Sequence, residues 1–533
     1  MERATVLLED FRPLCESLEW QLGQLYYAKS GHQAFLSGGI PYLVNNSGVL
    51  STIAAELFFE SLLEREGKGL LGPRLLALEP AVGSGLFARG FLRVFERICD
   101  EQGKDYAARL TFIAADAAPA MLFDIRRHGL LDGFKARVRL AQTDVMSLDF
   151  KWLDGASETP QPFDAVFLNY VLDCLPAAVV RVREGAVEQL SIQTLLLTED
   201  LADYTSLTPA AIVAAAAGSV DDRASLVDLY HLLQLRCRFS PAGQFESPQA
   251  ADGEITIHTY AALECLHNIA RKLAPEGFIL ISDYPAKPRM EADGSIVFQR
   301  FGASSAMGLN MTELGVHFNA VEGLSWIAPE SDHHSLVLRM LANGFGPQSW
   351  FRQHCGSSSV DWYMQPSENA SKAWREGRLR EALASHQEAV RRCPDNWLAL
   401  GEAAHFCGAV LSAHGVAKEL ATAALDLNPA NPELWNTLGE ALAALGQIEG
   451  AHDNFERALS LDPGNMRARC NLIDTLMSRR RWHESLRRIA DALADDEGAY
   501  RSLLLERQKT VIDHISSSRD RMKQRLSERA RWE

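Results

Sequence analysis

Over roughly the first 345 residues, short apolar runs closed by a polar or acidic residue alternate with stretches whose apolar positions recur every three or four residues. The runs Leu75–Glu79, Leu110–Asp116, 137–144, Phe163–Asn169 and 277–283 read as buried strands, and 53–63 and 87–98 as amphipathic helices. A strand–helix series of this kind predicts an α/β, doubly wound parallel sheet that binds its ligand at the carboxyl ends of the strands. Residues 1–72 read as a mostly helical flank or lid, and 200–255 as a helical insertion that includes 226–235. Residues 295–300 and 335–341 read as closing strands. The domain spans 73–345, and the Gly, Pro and Ser of 346–366 read as a linker.

Beyond the linker the pattern changes to a repeat. Trp435, Leu438, Gly439, Gly446, Ala451, Phe455, Ala458 and Pro463 follow the W-x2-L-G…A-x3-F…P pattern of a tetratricopeptide helix pair. Pro394, Pro429 and Pro463 recur at the period of one unit, as do the pairs Ala382/Ala389, Ala417/Ala424 and Ala451/Ala458. Residues 367–498 are therefore expected to be an all-α solenoid, its fourth unit running from Met466 to about Asp496, with a concave surface for a polypeptide. Residues 499–533 read as a charged, basic-leaning helix capping the array.

Composition narrows the function classes. The chain has 533 residues, 47% hydrophobic and 23% charged, with a formal charge of −16. That charge disfavours nucleic-acid phosphates and suits a basic protein or peptide. With no run of membrane-spanning length and no secretory leader pattern in the opening residues, the expectation is a cytoplasmic protein without membrane association. The nine cysteines contain no CxxC pair, so neither a disulfide framework nor a zinc site is expected. His317, His333 and His334 lack carboxylate partners at ligand spacing, and they are read as structural rather than as a metal site.

Chemistry concentrates around Glu79, where a strand stops at an acid and turns through Gly83 and Gly85 into a helix. Glycines there accept positive φ and leave room for a ligand against main-chain amides. Asp116, at the end of the next strand, is placed to accept from the two hydroxyls of a ribose. Asp144, with Gln142, is placed to accept from an adenine amino group. The loop resembles motif I of the class I S-adenosylmethionine-dependent methyltransferases, with Ala81 at the first glycine position. S-adenosylmethionine is the cofactor that this resemblance implies, held by Glu79, Ala81, Gly83, Gly85, Asp116, Asp144 and Asn169.

The order of that loop, Asp116-Ala117-Ala118-Pro119, the stretch Asn169-Tyr170-Val171-Leu172-Asp173-Cys174-Leu175-Pro176 and Asp283-Tyr284 resembles the MidA-type methyltransferases. These assist respiratory complex I assembly and are associated with protein arginine methylation. Their usual Asn-Glu-x-Leu-Asp has Tyr170 in place of the glutamate here. Asn169, Tyr170 and Asp173 are the candidates for organising a methyl acceptor, followed by Asp283 and Tyr284. The expected function is methyl transfer to a protein or peptide recruited by the repeats. The alternatives are a small-molecule or natural-product acceptor with the repeats holding a partner, and a non-catalytic assembly factor.

Overall fold

The computed structural model describes residues 4–30, 47–155, 162–199, 201–242, 253–286, 299–301, 304–332, 336–496 and 498–529. His333 and His334 lie outside them. The chain divides into two units, Met1–Tyr363 and Met364–Glu533.

The first unit is built on an eight-stranded sheet. Its order is Leu324–Ile327, Val337–Asn343, Leu273–Asp283, Phe163–Asn169, Leu75–Glu79, Leu110–Asp116, Val138–Gln142 and Lys151–Trp152. Pairing is parallel from Leu273–Asp283 through to Val138–Gln142, and antiparallel at both margins. From Leu75–Glu79 the chain first builds outward in one direction, then crosses to build the other side from Phe163–Asn169, so the strand order reverses beside Glu79.

Period-two alternation splits the strand side chains between two buried faces. On one face Phe112, Phe167 and Phe278 meet Phe58 and Phe91 of the helices Val49–Gly67 and Leu86–Glu101, with Phe91 and Phe167 centroids 4.9 Å apart. On the other, Leu78, Ile113, Val166 and Ile281 pack with Cys265 and Ile269 of the helix Tyr260–Ala270 and with Leu314 and Phe318 of Met311–Asn319. The two helices on the aromatic face sit close, since a Cβ on Gly90 would lie 2.7 Å from Ser51 Oγ.

At four places the elements differ from those expected. The described part of residues 1–72 is mostly helical, in Leu18–Ser30 and Val49–Gly67, but Thr5–Pro13 is a strand, and Val49–Gly67 is a core layer buried along most of its length rather than a lid. The insertion is helical in the short segments Leu201–Tyr204, Pro209–Ala216, Val220–Ala224 and Val227–Leu232, but it also supplies the strand Leu233–Pro241, which a helical reading leaves out. Thr5–Pro13, Ala178–Arg183, Ala186–Leu197, Leu233–Pro241 and Ile255–His258 form a second, antiparallel sheet, joined by helices of four to eight residues. The stretch 226–235 becomes a 3₁₀ turn followed by a strand. The strand Thr5–Pro13 owes its form to Leu196 and Ile192, opposite Val6 and Arg12, partners far along the chain that local propensity cannot reveal. Finally, 346–366 is helical in the segments Gln348–His354 and Ser357–Arg375 rather than an irregular linker. Of 295–300, residues 295–298 lie outside the described set, and Gln299–Phe301 pairs with Ser304–Ala306 instead of closing the large sheet.

The second unit is a succession of helix pairs, and the repeat positions explain it. Ala382, Ala417, Ala424, Ala451 and Ala458 are fully buried, because helices of a pair approach where side chains are smallest. The fourth unit is present as Met466–Ser478 and Trp482–Asp495. Asn396, Asn431 and Asn465, each two residues past a repeat proline, cap the helices Trp397–His405, Pro432–Ala444 and Met466–Ser478 through their side chains. The helix Arg501–Arg529 covers the last pair with Leu504 and Val511, as a cap should.

Two predictions follow from this packing. A Cβ on Gly439 would lie 2.5 Å from Phe455 Cε1, and Phe455 is buried. Gly439→Ala is therefore expected to destabilise the array by about 1–2 kcal/mol in urea denaturation, overpacking exceeding the gain in helix propensity. His386 is 3% exposed against Phe406, neither ring nitrogen has a partner, and burial alone lowers its pKa to about 4. The unfolded chain takes up this proton near pH 6.5 and the folded one only near 4, so stability falls as pH drops through that window. His386→Leu should be more stable than the parent by about 2 kcal/mol at pH 5 and lose most of that margin at pH 7.5.

Candidate functional site

The site lies at the carboxyl ends of Leu75–Glu79, Leu110–Asp116, Phe163–Asn169 and Leu273–Asp283, beside the reversal in strand order. That is where an open α/β sheet leaves a crevice, since the loops leave in opposite directions. Glu79 is 2% exposed; its Oε1 accepts from Asn169 Nδ2 at 3.1 Å, and its Oε2 is buried with no partner. Burial raises its pKa well above the ordinary carboxylate value, with the nearby Asp116 adding to the rise.

The turn after Glu79 is built from backbone. Val82 N donates to Ala115 O at 2.8 Å and Gly85 N to Val82 O at 2.9 Å. Gly83 and Gly85 have φ of 49° and 78°, and Gly85 begins the helix Leu86–Glu101. A side chain at Gly85 would also press on Ile125, 3.1 Å from the position of its Cβ. Ala81 is partly buried and packs on the non-aromatic face of the sheet.

Asp116 binds this turn. Its Oδ2 accepts from Gly83 N and its Oδ1 from Ala118 N, both at 2.9 Å. Burial pushes its carboxyl up to about 6 in spite of these bonds. Asp144 is exposed at the end of its strand, where Oδ1 accepts from Met146 N at 2.9 Å and organises the turn that follows. Gln142 Nε2 donates to Ala117 O.

Asn169, Tyr170 and Asp173 are brought together with two residues that the sequence ranked lower, Asp283 and Tyr284. Tyr170 holds φ at 53°, a conformation that costs an L residue about 1–2 kcal/mol. Its amide donates to Ser282 O at 3.0 Å, and its ring stacks on Tyr284 with centroids 5.2 Å apart. Asp283 is fully buried; Oδ2 accepts from Leu172 N at 3.0 Å and Asp173 N at 3.3 Å, and Oδ1 from Tyr284 N at 2.8 Å. Asp283, not Asp173, is thus the residue that secures the 3₁₀ turn Leu172–Cys174. The Asp173 and Asp283 carboxyls hydrogen-bond to each other, and Asp173 Oδ1 is buried without a partner. Burial lifts Asp173 to about 6; burial and then Asp173 lift Asp283 well above the carboxylate range. Two like charges this close favour sharing one proton. The signal that could have ranked Asp283 higher is its place as the closing acid of a strand parallel to that of Asn169.

Elsewhere, His317 Nε2 lies 2.6 Å from His267 Nε2 on the surface, a histidine pair. Among the described residues no group of three His, Cys, Asp or Glu could hold a metal ion, and none of the nine cysteines is in a disulfide. No described helix is long and apolar enough to cross a membrane.

Residues 432–465 match the family model described as Tetratricopeptide repeat. The peroxisomal targeting signal receptor of Candida glabrata is 37% identical over 98 residues, which are 18% of this chain and 16% of that protein. The chain thus spans about one sixth of the length of this curated relative. Among solved structures, YrrB, a TPR protein with an unusual peptide-binding site, is 21% identical over 29% of this chain and 78% of its own, with a TM-score of 0.26. The first TPR of Spaghetti (RPAP3) bound to an HSP90 peptide is 23% identical over 22% and 94%, with a TM-score of 0.22. MamA is 14% identical over 31% and 95%, with a TM-score of 0.26. The C-terminal unit of this chain is a helical array that carries a tetratricopeptide repeat at residues 432–465.

Proposed function

We propose that the protein is an S-adenosylmethionine-dependent methyltransferase of Rossmann-like, doubly wound α/β type, and that its repeats recruit a protein or peptide acceptor. The observation that carries this reading is the convergence of Glu79, the positive-φ turn Gly83–Gly85 and Asp116 at the reversal of strand order, with an unpartnered Glu79 oxygen among them. An orphaned buried carboxylate oxygen beside a positive-φ glycine turn suits a ligand rich in hydroxyl and amino donors. Glu79, Gly83, Gly85, Asp116 and Asn169 are the residues that would hold the cofactor. When bound, S-adenosylmethionine supplies a methyl group already activated on sulfur.

The chain then has little acid–base work to do; its task is placement. Asn169, anchored on Glu79, and Tyr170, held at its unusual φ by the Ser282 carbonyl, would line the approach of the acceptor. The Asp283 carboxyl keeps that turn in place by accepting from Leu172 N and Asp173 N. The choice of a polypeptide acceptor rests on the repeat array, whose extended surfaces suit a chain rather than a metabolite.

Calorimetry of the full-length protein with S-adenosylmethionine tests the cofactor claim, and the expectation is one site per chain. Absence of binding at high micromolar concentration would leave the non-catalytic assembly factor. Incubating a lysate with methyl-labelled cofactor and the protein then tests the acceptor. Label on a polypeptide supports the proposal, and label confined to small molecules overturns its second half.

A further inference from the structure

We propose that His267 and His317 form a two-histidine site for a first-row transition-metal ion, Cu(II) or Zn(II), that clips two helices of the first unit together.

His267 stands on the helix Tyr260–Ala270 and His317 on Met311–Asn319, 50 residues away in the chain. Spacing along the sequence offers His317 no ligand partner; packing supplies one. Both helices are anchored from below, because Leu266, Ile269, Leu314 and Phe318 belong to one buried cluster on the sheet. Phe318 also lies against both imidazoles, its centroid 4.9 Å from that of His267 and 5.1 Å from that of His317. The two imidazoles meet edge to face at 85°, and their Nε2 atoms come within 2.6 Å of each other.

Two imidazole nitrogens this close need something between them. Facing lone pairs repel, as do facing N–H groups, so the pair holds either one shared proton or a metal ion. Imidazole suits Cu(II) and Zn(II), and this pair lies at the surface, where an ion can enter. With bonds of about 2.0–2.1 Å, two nitrogens on one tetrahedral ion lie about 3.4 Å apart, so the rings must part by less than about 1 Å. His317 is exposed and can make that adjustment by side-chain rotation. Arg271, one turn beyond His267, disfavours a second cation there and tempers the affinity. Among the described residues no third His, Cys, Asp or Glu completes the group, so water would fill the remaining positions and the ion would exchange readily. A bound ion would tie the helix that leads into Leu273–Asp283 to its neighbour, and its binding energy would add to the stability of the fold.

The test is calorimetry of the metal-free, full-length protein with copper(II) chloride and with zinc chloride at pH 7.5, on the parent and on His317→Ala. The parent should take up one equivalent of Cu(II) at a Kd of about 1–10 μM that the variant lacks, and Zn(II) more weakly, in the order of the divalent ions. His317→Ala changes an exposed side chain and should weaken this equivalent by about tenfold or more, since one donor of a preorganised pair is gone. Hydrogen exchange read by peptide then locates the ion: excess Zn(II) should slow exchange about threefold or more in both 260–270 and 311–319 of the parent, and in neither segment of the variant. His267→Ala should repeat the result, and His317→Ala decides alone if that variant does not fold. Equal uptake by parent and His317→Ala, protection of one helix only, or no binding below about 1 mM overturns the proposal and leaves a proton-sharing histidine pair.

Discussion

Replacing Glu79 by Gln should make the empty protein more stable and a poorer binder of S-adenosylmethionine. The amide keeps an oxygen for Asn169 Nδ2 and puts an uncharged NH₂ where Oε2 now has no partner. Removing a buried, half-satisfied carboxylate is worth about 1–3 kcal/mol at pH 8. The sign follows from the direction of the pKa: the unfolded carboxyl ionises near its model value of 4.5 and the folded one only well above it, so the parent loses stability as pH rises through that interval. The gain of the variant should therefore be absent below about pH 4.5 and full at pH 8, as read by urea denaturation. Affinity should fall about 10- to 100-fold, the loss of one charge-assisted hydrogen bond of about 1.5–3 kcal/mol. A variant that is less stable at pH 8, or binds as the parent does, would remove Glu79 from the ligand's contacts.

Arg65→Met should have the largest effect on stability. Arg65 and Asp164 have side chains only 4% and 6% exposed and meet at 2.6 Å. Asp164 Oδ2 also accepts from Leu76 N at 2.6 Å, which ties the pair to the central strand that ends in Glu79. Burial holds the Asp164 carboxyl above its usual range, outweighing the guanidinium beside it, so the pair positions the helix Val49–Gly67 more than it adds net stability. Breaking it from one side is another matter, because the buried carboxylate keeps only the smaller influence of Arg109; the cost is about 3–5 kcal/mol near neutral pH. The deficit should shrink on acidification, as Asp164 takes up a proton more readily without its partner. Arg65→Met combined with Asp164→Asn should recover much of the loss in the same denaturation assay.

The candidate site was legible in the sequence to an uneven degree. Gly83 and Gly85 were legible as a turn, since glycines after a strand end accept positive φ, and both adopt it. Asp116 was legible as a strand-end acid. Its role in holding the turn through Gly83 N was not, because that bond joins residues 33 apart in the chain. Asp283 read as secondary to Asp173, yet it carries the hydrogen bonds that shape the turn. Sequence spacing cannot rank two acids that meet only when separate parallel strands come into register.

The sequence by itself determined the elements whose signals are local. These are the strand-and-helix alternation of the first unit, the repeat of small residues that builds the second, and the glycine turn beside Glu79. Each depends on periodicity or on backbone freedom over a few residues. Tertiary structure alone decided that Thr5–Pro13 is a strand, that the 200–255 region contributes to an antiparallel sheet, and that the helix Val49–Gly67 is a core layer. It also decided that Asp283 reaches the turn after Asn169 and that Asp116 reaches the turn after Glu79. Those outcomes depend on pairing and burial between distant segments, where the environment, rather than intrinsic propensity, sets both conformation and charge.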